Sequence, residues 1–90
     1  MKSRGDYDVP GTSLSITFDH ARDQYYKGHG LHFHVEDNNG RIASISAITF
    51  TKIKGGLPGG KEERALWKWI HENESMLHDD AEYWRENGTH

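Results

Sequence analysis

Apolar and polar residues alternate along "SLSITFD", residues 13–19. Leu14, Ile16 and Phe18 fall on one side, and Ser13, Ser15, Thr17 and Asp19 on the other. A period of two marks a half-buried β-strand. "LHFHVE", residues 31–36, repeats the pattern, with Leu31, Phe33 and Val35 opposed by His32, His34 and Glu36. "DNNG" then supplies Asn and Gly for a hairpin turn. "RIASISAITFTKIK", residues 41–54, is also strand-like, but Ala43 and Ile45 share one parity and Ile48 and Phe50 the other. That change of phase requires a bulge or tight turn near Ser46–Ala47, giving two short strands or one bent strand. "HARDQYYKGHG", residues 20–30, reads as a loop, and "GGLPGG", residues 55–60, as a stop.

From residue 61 the period lengthens. Leu66, Trp69, Ile70, Met76, Leu77, Ala81, Tyr83 and Trp84 recur at helical spacing, which predicts an amphipathic helix. Glu62 and Glu63 suit its N-terminal end, Gly88 suits a C-cap, and Asn73–Ser75 is where it can break in two. Strands followed by a helix predict an α+β fold. A small antiparallel sheet of three or four strands is covered on one face by a long C-terminal helix. The polar stretch "MKSRGDYDVPGTS" reads as a flexible lead-in over residues 1–12, ahead of a single domain at 13–88.

Composition narrows the chemistry. The 90 residues include no cysteine, which excludes thiolate zinc sites, disulfides and sulfur nucleophiles. No apolar run approaches the roughly 18 residues that suggest a membrane span. The start of the chain lacks the apolar centre of a signal peptide, so a cytoplasmic location is expected. The net charge of −3 argues against non-specific binding to a nucleic-acid backbone. "TKIKGG", with Lys61 and Arg64, is the only candidate basic patch. The Gly pairs at 55–56 and 59–60 lack the Gly-Lys-Ser/Thr of a phosphate loop.

Seven histidines are the main chemical signal. If Leu31, Phe33 and Val35 pack under the helix, His32, His34 and Glu36 stand in a row on the opposite face, successive ones roughly 7 Å apart at Cα. That face is wet unless another segment covers it. Three readings follow. His32 and His34 can ligate a metal, with Glu36, His29 or His20 completing the shell. Alternatively, His32 and His34, or one of them with Glu36, can act as proton donor and acceptor in metal-independent RNA cleavage, with Arg41 and Lys52 holding the phosphate. The third reading is a solvated face or a contact surface for a partner. No cofactor is required by any motif.

Elsewhere, Trp69 and Trp84 fall on the apolar helix stripe. Trp67 lies off it, beside His71, Glu74 and His78, as a candidate binding anchor. Asp79, Asp80, Glu82 and Glu86 cluster near the helix end and can form an acidic partner-binding face, which Glu72 and Glu74 extend. The plainer reading of that face is a solvated helix.

The order of "LHFHVED" (31–37), "GRIASISA" (40–47), "GGLPGG" (55–60), "ALWKWIHEN" (65–73) and "MLHDDAEYW" (76–84) resembles a family of small bacterial proteins of unknown function with a "PHFHV" signature. The likeness spans about residues 14–85. Leu31 stands where the family has proline, and "DHARDQYYKGHG" replaces its usual lead-in. Genes of that family are often paired with a small partner gene, in suspected toxin–antitoxin modules. The resemblance implies a protein that binds a cognate partner, with RNA as a candidate substrate of His32 and His34. A non-catalytic phage or mobile-element inhibitor, which binds a host complex through an acidic and aromatic surface, is the alternative. Whether the chain catalyses a reaction, and whether it forms oligomers, the sequence leaves open.

Overall fold

A computed structural model describes residues 6–26 and 30–89. The fold is α+β. Five antiparallel strands run in the order of the chain: β1 (Tyr7–Asp8), β2 (Ser15–Thr17), β3 (His32–Asp37), β4 (Gly40–Ser46) and β5 (Lys52–Gly55). A 3-10 turn at Arg22–Tyr25 separates β2 from β3, and two helices follow, α1 (Gly60–Glu72) and α2 (Glu74–Asn87).

The alternation in β2 and β3 places the core. Leu14, Ile16 and Phe18, and likewise Leu31, Phe33 and Val35, are buried. They form one cluster with Ala43 and Ile45 of β4, Leu66 and Ile70 of α1, and Leu77 and Ala81 of α2. The register pairs Val35 with Ala43 and Phe33 with Ile45. The apolar sides of neighbouring strands therefore coincide, which a slip by one residue would destroy.

The strand count and the Gly88 cap need correction, whereas the turn near Ser46–Ala47 and the break at Asn73 are among the outcomes the sequence allowed. Among the described residues the sheet has five strands rather than three or four. Part of the surplus comes from the lead-in, because Tyr7 and Asp8 pair with β2 and Val9 is buried. The Tyr7 hydroxyl donates to the Asp80 carboxylate on α2; residues 1–5 lie outside the described part. The change of phase near Ser46–Ala47 is a turn dividing β4 from β5. There the Ser46 hydroxyl accepts from the Ile48 and Thr49 N–H groups at 3.1 Å each. Phe50 closes this turn at φ 57°, a conformation costly for an aromatic residue; its buried ring lies 6.4 Å from that of Phe33.

The helical segment is two helices parted at Asn73. The Asn73 amide donates to the Trp69 carbonyl at 2.8 Å, and its backbone N–H donates to Ile70 O. Asn73 thus satisfies carbonyls that the end of α1 leaves open. Gly88 follows α2 in extended backbone (φ −71°, ψ 175°), not in the left-handed form of a glycine cap. Its lack of a side chain serves another purpose. A Cβ there would sit 2.4 Å from His20 O. Next to it, Thr89 N–H donates to His20 O and Arg22 N–H to Thr89 O, at 2.7 and 2.8 Å.

Among the described residues, no helix is long and apolar enough to cross a membrane.

Candidate metal centre

The face of β3 that carries His32 and His34 is opposite the helices, as the alternation requires, but it is not wet. His32 is 6% exposed and His34 5%. The cover is the segment after β2. It is pinned to the chain end by the backbone bonds around Gly88, and His20 stacks on Trp84 with ring centroids 4.0 Å apart. It then turns through the 3-10 helix and lays the buried ring of Tyr25 5.1 Å from that of His32. The Tyr25 hydroxyl donates back to Asp19 O at 2.5 Å.

This path brings the Asp19 side chain to both imidazoles. Asp19 Oδ2 is 3.0 Å from His32 Nε2 and 2.7 Å from His34 Nε2, while Asp19 Oδ1 accepts from Arg41 at 3.2 Å. The opposite ring nitrogens also have oxygen partners. His32 Nδ1 is 2.7 Å from Gly30 O, and His34 Nδ1 is 3.0 Å from Ser44 Oγ.

The proton count is informative. A carbonyl only accepts, so His32 Nδ1 carries a hydrogen and donates to Gly30. With that hydrogen alone, Nε2 presents a lone pair to a carboxylate oxygen 3.0 Å away, and two acceptors at that separation repel. The contact is attractive only if a further cation, a second proton or a metal ion, holds the two together. His34 is less constrained, because a serine hydroxyl either donates or accepts. Burial, opposed by hydrogen bonding to Asp19, holds His34 below its ordinary 6.5. Burial pushes the Asp19 carboxyl up. The hydrogen bonds from His34 and His32, with the charges of His34 and Arg41, outweigh it and hold the carboxyl at about 2. Asp19 is therefore a permanent anion near neutral pH. Burial, followed by the Asp19 charge, pushes the Tyr25 phenol above its ordinary range, so it remains a hydroxyl donor.

These three donor groups fit a transition-metal ion. Their ligand atoms lie within 4.8 Å of one another. Bonds of about 2.0–2.1 Å to a tetrahedral zinc place neighbouring donors about 3.3 Å apart, so the two Asp19–imidazole separations of 3.0 and 2.7 Å need an opening of only a few tenths of an ångström, and the two imidazole nitrogens lie within 4.8 Å of each other. Oxygen partners on the far nitrogens are the outer-shell arrangement that orients ligating histidines.

The expected third ligand was Glu36, but the cluster uses Asp19. Glu36 Oε2 accepts from Thr17 Oγ1 at 3.0 Å. His20 is occupied with Trp84, and His29 lies outside the described residues. The expected cation Lys52 is replaced by Lys54. Thr17, His34, Ser44 and Lys54 are register partners across β2, β3, β4 and β5. Lys54 lines a pocket of about 150 Å³ with Asp19, Gln24, His32, His34, Arg41 and Ser44. The sequence held one cue to Asp19: it follows Ser15 and Thr17 on the polar side of the first strand. What it lacked was the register that joins that side to the histidines.

The proposed acidic face is only partly formed. Asp80 is buried, 3% exposed, and receives the Tyr7 hydroxyl. Asp79 and Glu86 are exposed and Glu82 half-buried; Glu82 and Glu86 are paired with Arg85. Trp67 is half-buried and no free anchor. Its indole N–H donates to Glu63 at 3.2 Å, and its ring stacks on His71. A second group of donors, His78, Asp79 and Glu82, lies on the surface of α2.

No family model matches this sequence, and no curated protein or solved structure matches it either.

Proposed function

We propose that the protein binds one divalent transition-metal ion, with zinc the best fit, through Asp19, His32 and His34. The observation that carries this reading is the convergence of two buried imidazole Nε2 atoms on one carboxylate oxygen while both Nδ1 atoms face oxygen partners. Two imidazoles and one carboxylate are ligands that zinc and other borderline metals accept. Three protein donors leave a coordination position open, the composition of catalytic rather than structural zinc sites. A metal held there supplies Lewis acidity and an activated water. The chain's own contribution is orientation: Gly30 and Ser44 aim the rings, Arg41 steadies the carboxylate, and Tyr25 keeps bulk water off His32.

The test uses untagged, chelator-treated protein titrated with zinc by calorimetry. One equivalent is expected. His34→Ala or Asp19→Asn should weaken binding at least about 100-fold, with Glu36→Gln and His78→Ala unchanged. Absence of binding, or binding that survives His34→Ala, refutes the reading.

A second reading keeps the resemblance: a partner-binding protein of a bacterial two-gene, toxin–antitoxin-like module, cleaving RNA with His32 and His34. It is favoured by Arg41 and Lys54 lining the same pocket as both imidazoles. The phage-inhibitor alternative draws on exposed Asp79, Glu86 and Tyr83. Expression of the chain alone, with no partner supplied, separates these readings. Growth arrest abolished by His34→Ala, and undiminished by chelation of the purified protein's RNA cleavage, selects the toxin reading over the metal one.

A further inference from the structure

Resting on the metal reading above, we infer that the ligand of this centre is a phosphomonoester. Its phosphoryl group would sit between the metal position and the Arg41 and Lys54 side chains, and its organic group over the neighbouring hollow. Three observations lead there. First, the pocket beside the cluster has a basic wall. Arg41 is about half exposed (49%) with one nitrogen on Asp19 Oδ1, and Lys54 is an exposed lysine that makes no ion pair among the described residues. Secondly, the charges do not cancel. Asp19 and Glu36, the latter beside Arg41 in the register, supply two carboxylates against a dication and two side-chain cations, and the excess of positive charge calls for an anion. Planar guanidinium and compact ammonium groups are the usual partners of phosphoryl oxygens.

Thirdly, Arg41, Ser44 and Lys54 belong to two hollows at once. The second, about 250 Å³, is completed by Ile42, Ala43 and Gly55. Free phosphate needs no such extension, whereas the organic part of an ester does. The register explains the adjacency. The bulge opposite Val35/Glu36 pairs Arg41 with Glu36, which puts Arg41 on the histidine side of the sheet. Ser44 pairs with Lys54 one strand further out.

The experiment uses cobalt(II) in place of zinc, because an oxyanion entering an open position alters the visible absorption of the ion. Cobalt-loaded protein is titrated with inorganic phosphate and with phenyl phosphate. Both should change the spectrum, with phenyl phosphate at least threefold tighter. Lys54→Gln should weaken phenyl phosphate tenfold or more, while cobalt stoichiometry stays at one per chain; Arg41→Gln, which also loses the contact with Asp19 Oδ1, should weaken the ester and the metal together. Among the described residues Lys54 makes no hydrogen bond or ion pair to Asp19, His32 or His34, so its variant isolates the oxyanion contact. Equal or weaker binding of the ester than of phosphate overturns the ester assignment. A spectrum indifferent to both anions, or unaffected affinities in Lys54→Gln, overturns the oxyanion site and leaves the metal reading standing. Failure of cobalt to bind, or its binding to His34→Ala, removes the metal reading itself.

Discussion

Gly55 ends β5 one residue after Lys54, at φ +95°. A Cβ there would lie 2.3 Å from Ile42 O and 2.7 Å from Ala43 Cα. Both are backbone atoms of the neighbouring strand β4, so no side chain can swing aside. Gly55→Ala therefore incurs two costs: about 1–2 kcal/mol for an L-residue with positive φ, and about 1–3 kcal/mol for forced displacement of packed backbone. Lower entropy of the unfolded chain returns roughly 0.4–1 kcal/mol. The net loss is about 1–5 kcal/mol, a large part of the roughly 5–13 kcal/mol expected of a domain of this size. Gly56 provides the control. It lacks the positive φ, and an added Cβ meets nothing within 4 Å, so Gly56→Ala should remain within about 0.5 kcal/mol of the parent.

Urea unfolding followed by tryptophan fluorescence measures both variants. Function supplies a second readout. If the collision is relieved by pushing β5 outward, Lys54 moves with it, and phenyl phosphate should bind less tightly while cobalt stoichiometry holds. Asp19, His32 and His34 do not lie on β5. Equal stability of the two variants, or Gly55→Ala within 0.5 kcal/mol of the parent, would refute the reasoning.

Other outcomes follow from the same geometry. Tyr7→Phe should cost about 1–3 kcal/mol in urea unfolding, because the hydroxyl it removes donates to the buried Asp80 carboxylate; a loss below about 0.5 kcal/mol contradicts that tie. The exposed Asp79→Lys, in contrast, gives up only a long surface contact with His78 at 3.7 Å and should change stability by less than about 1 kcal/mol; a larger loss contradicts the reading of Asp79 as a solvated surface acid. In the metal-free protein the stability contributed by His34 should fade as pH falls below 6.5, and that contributed by Asp19 between 3.8 and about 2. His34 lies below 6.5 and Asp19 at about 2, against an ordinary 3.8. Both folded values are depressed, so the stability they contribute is complete above the ordinary values and lost as pH falls through the folded ones. Denaturation midpoints that rise between pH 7 and pH 5 would oppose this sign. Adding zinc to the stripped protein should raise its melting temperature by mass action, and His34→Ala should abolish the rise; equal shifts in both proteins would place the ion elsewhere.

Local periodicity determined a good deal of this protein. Leu14, Ile16 and Phe18, and Leu31, Phe33 and Val35, fall in the core because side chains alternate along a strand whatever its neighbours are. The same rule sends His32 and His34 to the other side. The break of phase at Ser46–Ala47 and the weak point at Asn73 were likewise visible, since each is a property of a few adjacent residues. Tertiary structure decided the rest. That Asp19 meets both imidazoles depends on the register of β2 against β3 and on a covering segment held by Thr89 and Gly88, about seventy residues away in the chain. That Tyr7 belongs to the sheet, and Asp80 to the interior, depends on a contact between β1 and α2. Hydrophobic period reports which way a side chain points; what lies on the far side is set by contacts remote in sequence, which leave no periodic trace.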